Sequence, residues 1–249
     1  MNNIILCEGS TDYVLLQYYM RKAYQWLDDP SRQQGILRMD RQKSRNLVKD
    51  LDVLTIMSTG GCSRLSSGLK EVLDRNYLSI PGFSTVYSKI VIITDRDEAE
   101  TELNFIQQMK DALNEYSVIC DNELENDSWL ACKMHRRIEK TVELEFSLLL
   151  LIIPFEQNGA METFLLDAVG ENDPYDKHVI DKCIAFVEDI DPQKRYLSSR
   201  RNITKAKFDT YFSIRTPVEQ FAERQNILKN VDWENYTKIQ TAFQKLGDL

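Results

Sequence analysis

The chain has 249 residues, 43% of them hydrophobic, which is enough for a substantial core, and its formal charge of −8 argues against a protein that coats nucleic acid through a uniformly basic surface. Five cysteines with no CxxC pair and only two histidines, His135 and His178, argue against a zinc cage and fit reduced, buried thiols. The N-terminal "MNNIILCEG" has neither the basic flank nor the cleavage site of a secretion signal, and the longest apolar run, "LLLLIIPF" from Leu148, is well short of a membrane span. A cytoplasmic protein with no membrane partner is expected.

In chain order, "NIILCEG" reads as a strand ending in Glu8 and Gly9. It is followed by a helix over "STDYVLLQYYMRKAYQW", with Ser10 as cap and Val14, Leu15, Tyr18 and Tyr19 at helical spacing. Residues 29–50 are polar and basic and read as an exposed insertion, with Arg38, Arg41, Lys43 and Arg45 on a loop. "LDVLTIMSTGG" gives a second strand closed by Gly60 and Gly61, glycines that suit a strand-to-helix turn and would equally admit a phosphate close to the backbone. A helix over "SRLSSGLKEVLDRNY" follows. The third unit is the strand "SKIVIITDRD" and the helix "ETELNFIQQMKDALNEY", with Leu103, Ile106, Met109 and Lys110 along its buried edge. Strand–helix units in succession imply a parallel sheet wound with right-handed crossovers.

Beyond them, "DSWLACKMH" and "VELEFSLLLLIIPF" read as two more strands and "NGAMETFLLDAVG" as a helix. The tail is helical, with Thr216 as cap, Pro217 in the first turn and Glu219 completing a capping box. The expected organisation is an α/β core over residues 1–170 and a helical extension over 171–249 packed on it.

Ligands of an open parallel sheet bind outside the carboxyl ends of its strands, and acids fall there. Glu8 ends the first strand, Asp95 and Asp97 end the third, and Glu162 sits at the start of the helix after "LLLLIIPF". In extended chain, residues i and i+2 point to one side, so Asp95 and Asp97 converge while Arg96 points away. Carboxylates forced together repel and raise one another's pKa unless a cation joins them, and hard oxygen donors favour Mg²⁺ or Mn²⁺.

"IILCEG" together with "VIITDRD" resembles the Toprim domain of topoisomerases, bacterial primases and OLD-type nucleases. "STGG", "GAMETFLL" and "NITKAKFDTYFS" make the chain more specifically similar to short, stand-alone Toprim-like proteins of uncharacterised function. The resemblance implies a Toprim-like Rossmannoid parallel sheet flanked by helices, with Glu8 as the motif glutamate and Asp95 and Asp97 as the metal-binding pair. Glu162 and Lys205 or Lys207 are looser matches to the further acid and lysine of the OLD-type enzymes, and Asp12 can add a carboxylate. Where many Toprim motifs continue with small residues, Glu98 and Glu100 follow here, as extra ligands or as the acidic start of a helix.

The function so implied is metal-dependent phosphodiester processing of DNA or RNA, with Glu8 either a ligand or a general acid–base. Lys205 or Lys207 would stabilise charge in the transition state. From Pro192 to Phe208 the chain carries Lys194, Arg195, Arg200, Arg201, Lys205 and Lys207 and no acid, a phosphate-tracking surface on which Tyr196 or Phe208 can stack a base, or else a solvated helix face. Two alternatives stand beside the nuclease: a Toprim-like module that binds nucleic acid or nucleotide without turnover, in a homo-oligomer or larger assembly, and a small-molecule phosphotransferase resembling the haloacid dehalogenases. The second is disfavoured by Ala99 and by the late position of the Asp-x-Asp.

Overall fold

The computed structural model describes residues 1–28, 43–80, 86–98, 100–138, 143–217 and 224–249. Eight strands form one sheet: β1 (Asn2–Cys7), β2 (Leu27–Asp28), β3 (Lys43–Lys49), β4 (Asp52–Ser58), β5 (Tyr87–Asp95), β6 (Ile119–Cys120), β7 (Trp129–His135) and β8 (Glu143–Ile153). Their order is β2-β3-β4-β1-β5-β8-β7-β6. The centre, β4-β1-β5-β8, is parallel, and antiparallel strands extend it at both ends.

The central strands are apolar on both faces because helices cover both. Along β1, Ile5 and Cys7 pack with α1 (Ser10–Tyr24) and α4 (Met161–Asn172), while Ile4 and Leu6 pack with α2 (Leu65–Tyr77) and α3 (Thr101–Glu115). β8 divides its run of leucines in the same way. Leu149, Leu151 and Ile153 join the first cluster and Leu148, Leu150 and Ile152 the second. The sheet is therefore the middle of three layers, and the protein is α/β.

A further set of helices, α5 (Pro174–Ile190), α6 (Arg200–Arg215), α7 (Arg224–Asn230) and α8 (Thr237–Ala242), thickens the α1/α4 layer. Phe208, Phe212, Trp233 and Phe243 from this segment share one apolar cluster with Ile5 and Leu149 of the sheet. The ring of Phe243 stands edge-on to Tyr19 of α1 at 5.0 Å.

Several local expectations need correction. Within the span read as an exposed insertion, residues 43–49 form β3, paired along its whole length with β4. Arg45, read as a loop residue, is a strand residue bound to Asp28; Arg38 and Arg41 lie outside the described residues. Gly9, not Ser10, is the N-cap of α1. Leu103 is 73% exposed, and the buried edge of α3 is Phe105, Met109, Ala112 and Leu113. Thr216 is the C-cap of α6, its hydroxyl donating to the Phe212 carbonyl, and residues 218–223 of the segment it was expected to cap lie outside the described residues. Glu219 lies outside the described residues.

Candidate active site at the carboxyl rim of the sheet

β1 and β5 are neighbours, yet the helices that follow them leave to opposite faces, α1 to one and α3 to the other. Such a divergence opens a crevice at the strand ends. A cleft of about 400 Å³ lies there, lined by Glu8, Asp12, Asp95, Asp97, Glu98 and Glu162 on one side and by Ser199, Arg200, Arg201, Thr204 and Lys205 of the α6 N-terminus on the other.

Glu8 is held through its backbone and its side chain. Its carbonyl accepts the N–H groups of Gly60 (3.1 Å) and Gly61 (3.0 Å), whose φ angles of 82° and 141° require glycine. These N–H groups are thus spent on the turn. The Glu8 carboxylate accepts the Thr94 hydroxyl at 3.3 Å and lies near the backbone N–H groups of Cys62 and Asp95, which favour its charged form. Burial, and next the charge of Asp97, raise the Glu8 pKa against these three donors.

At the end of β5, Asp95 and Arg96 point to opposite sides, as strand alternation dictates. Arg96 turns toward α3, its guanidinium bound to Glu102 and its Nε to the Pro154 carbonyl at 2.7 Å. Asp95 turns the other way, its Oδ1 accepting the Met161 N–H at 2.9 Å. It caps α4, a helix with no side-chain cap of its own. Asp97 meets Arg200, which donates to both its carbonyl and its Oδ1 (3.0 Å to the latter).

Asp12 and Glu162 complete the acidic wall. Both are 5% exposed. Asp12 Oδ2 accepts the Gly9 N–H at 2.8 Å, and Glu162 Oε1 accepts the Thr11 hydroxyl at 3.1 Å. Burial, with the charges of Glu162 and Glu8 adding, pushes Asp12 up to about 7. Asp95 is raised well above its ordinary range, first by burial and then by Asp12, Glu8 and Glu162. These carboxylates are close enough to repel one another, and their nearest donors are neutral N–H and O–H groups.

The basic segment does not act as one surface. Arg200, Arg201 and Lys205 line the cleft. Lys207 is turned away and pairs with Glu188 on α5 at 2.6 Å. Lys194 and Arg195 belong to the preceding loop, which Asp191 organises by accepting the N–H groups of Arg195, Tyr196 and Leu197. Tyr196 is 71% exposed, with the Arg195 guanidinium over its ring, whereas Phe208 is fully buried and has no face to offer a base. Ser199 and Thr204 were missed by sequence reasoning; their place beside the arginines follows from α6 docking end-on at the rim.

The donors suit a hard divalent cation chemically, being carboxylate oxygens short of positive charge. They are not prearranged as a cage. Among the described residues, no three His, Cys, Asp or Glu side chains form a ready metal-ligand group, because Asp95 and Asp97 are turned to α4 and Arg200.

Fold and cleft together define an α/β protein with an acidic sheet rim facing a basic helix start. The family described as "Protein of unknown function (DUF3226)" matches residues 2–246, and the chain belongs to it. No curated protein matches the chain. Among solved structures, the hypothetical protein PH0156 from Pyrococcus horikoshii OT3 is similar at 18% identity and a TM-score of 0.47, over 91% of this chain and 96% of that one. A glyoxalase/bleomycin resistance protein/dioxygenase family enzyme from Burkholderia phytofirmans PsJN is similar at 9% identity and a TM-score of 0.20, over 59% of this chain and 96% of that one. At these values neither likeness bears on the site. No helix among the described residues is long and apolar enough to cross a membrane.

Proposed function

We propose that this protein is a phosphodiester-processing enzyme dependent on Mg²⁺ or Mn²⁺, a nuclease acting on DNA or RNA. One observation carries the reading. Glu8, Asp12, Asp95 and Glu162 are brought to one cleft and largely desolvated, the ion pair made by the acids of this wall among the described residues is that of the more exposed Asp97 with Arg200, and the opposite wall is the basic start of α6.

Glu8, Asp95, Asp97 and Glu162 are the residues that would hold the metal. A bound divalent ion supplies charge neutralisation at a phosphoryl oxygen and lowers the pKa of a water. The remaining roles belong to the chain. Arg201 and Lys205 bind non-bridging phosphate oxygens and, in a cleft partly closed to solvent, offset the charge that builds up during in-line displacement. Glu8, whose proton affinity is raised by burial, accepts or returns a proton when it is not a ligand. Thr94 fixes its carboxylate for that task.

The test is cleavage of single-stranded, duplex and supercoiled nucleic acid with Mg²⁺ or Mn²⁺. Asp95→Ala and Glu8→Ala are each expected to lower the rate by about 100-fold or more, and Lys205→Ala by about 10-fold or more. Lys207→Ala, outside the cleft, should retain the wild-type rate. Binding without cleavage by the wild-type protein would replace the enzyme with a binding module, and cleavage that persists in both Asp95→Ala and Glu8→Ala would remove the assignment.

A further inference from the structure

At the opposite end of the sheet from β2, Cys120 of β6 and Cys132 of β7 are register partners. The next pair along, Asp121 and Ala131, is joined by the Asp121 N–H to the Ala131 carbonyl at 3.1 Å. Pairs alternate along an antiparallel ladder, so Cys120 and Cys132 occupy a position without backbone hydrogen bonds, where Cα atoms approach to about 4.5 Å and side chains are closest. That spacing lies at the short end of the range a disulfide spans. The two Sγ atoms are 3.3 Å apart, and both cysteines are free thiols. β6 has only two residues and is an edge strand, so the remaining approach requires little of the rest of the sheet.

We propose that Cys120 and Cys132 are a reversible dithiol–disulfide pair, with Cys120 the thiol that meets the oxidant and Cys132 the one that resolves it. Cys120 is half-buried and Cys132 is 1% exposed. The contact with Cys132 holds the Cys120 thiol below its ordinary pKa, against burial and the charges of Asp121 and Glu123. Cys7, Cys62 and Cys183 are all shifted the opposite way, each chiefly by burial. The thiolate is the reactive form, so Cys120 is the site at which oxidation begins.

With a hydroperoxide as oxidant, the Cys120 thiolate displaces alkoxide, or hydroxide from hydrogen peroxide, to give a sulfenic acid. Cys132 then attacks that sulfur, forming the S–S bond and releasing water. A small dithiol reverses the step by exchange. The bond closes the loop over residues 121–131, whose Asn126 brackets Ile152 of β8, accepting its N–H at 2.8 Å and donating to its carbonyl at 3.3 Å. Oxidation therefore stiffens a segment that leans on the strand beside β5. This inference does not depend on the proposed nuclease activity.

The experiment treats the native 249-residue chain with a small excess of hydrogen peroxide, followed by thiol counting, peptide mapping and amide hydrogen exchange. Free thiols are expected to fall from five to three, with a Cys120–Cys132 cross-linked peptide, slower exchange across 121–131 and full reversal by a dithiol reductant. Cys132→Ser should instead accumulate a sulfenic acid on Cys120 that a dimedone probe captures, and Cys120→Ser should give neither product. Circular dichroism of both variants checks that they fold. Oxidation elsewhere first, a cross-link between molecules, or direct passage of wild-type Cys120 to the sulfinic acid would each overturn the proposal.

Discussion

Asp12 is the residue whose chemistry is most constrained by its place. Folding lifts its pKa to about 7 from an unfolded value of about 3.9. Between those limits the folded chain keeps a proton that the unfolded chain has released, so the stability contributed by Asp12 is fully present below about pH 4 and is lost as pH rises through about 7. Asp95 adds a fall of the same sign. Asp12→Asn retains an acceptor for the Gly9 N–H and removes the charge. Thermal unfolding from pH 4 to 8 should show a flatter decline in this variant and a higher melting temperature at pH 8. Added Mn²⁺ should raise the wild-type melting temperature more at pH 8 than at pH 5, where protons compete for the same oxygens, and a chelator should cancel the gain.

The same residues show how far the sequence could be read. Glu8 and Asp95 were legible as rim acids because each closes a run of apolar strand residues, and Glu162 because it stands in the first turn of the helix after such a run. The capping of α4 by Asp95 was not, since its partner Met161 lies 66 positions along the chain and nothing local to either residue announces the other. The bond between Arg200 and Asp97 was hidden for the same reason.

Among elements, the central strands announced themselves by unbroken apolar runs, as strands covered on both faces do. β3 did not. Its "KSRNLVK" buries only Leu47 and Asn46 fully, and Asn46 is polar because it pairs with the Thr55 hydroxyl at 2.8 Å. On the far side, Asn126 links a loop to the Ile152 backbone through two bonds. Asn126→Ala leaves that N–H and carbonyl without their partner and is expected to cost about 1–3 kcal/mol in denaturant unfolding. At the α6 start, the bond from Arg200 to Asp97 joins half-exposed groups, so Arg200→Ala should change stability by about 1 kcal/mol or less. It removes the guanidinium that engages Asp97, and calorimetric titration with Mn²⁺ should show tighter binding than in the wild-type protein.

For the whole molecule, the C-terminal helices are part of the core rather than an ornament on it. Phe243 is fully buried between Tyr19 and Phe164, with ring centroids at 5.0 and 6.4 Å. Phe243→Ala is expected to cost about 3–5 kcal/mol and to lower the melting temperature in a single transition, because the sheet and the helices share one cluster. Two transitions would mean that the helical segment unfolds by itself.

The cleft takes its negative wall from residues 8–162 and its positive wall from residues 199–205. A growing chain leaving the ribosome presents the acids well before their counter-charges exist. The opposing sides are assembled only when α6 docks, so the chain acquires a polarised cleft late in its synthesis, together with the last part of the core that supports it.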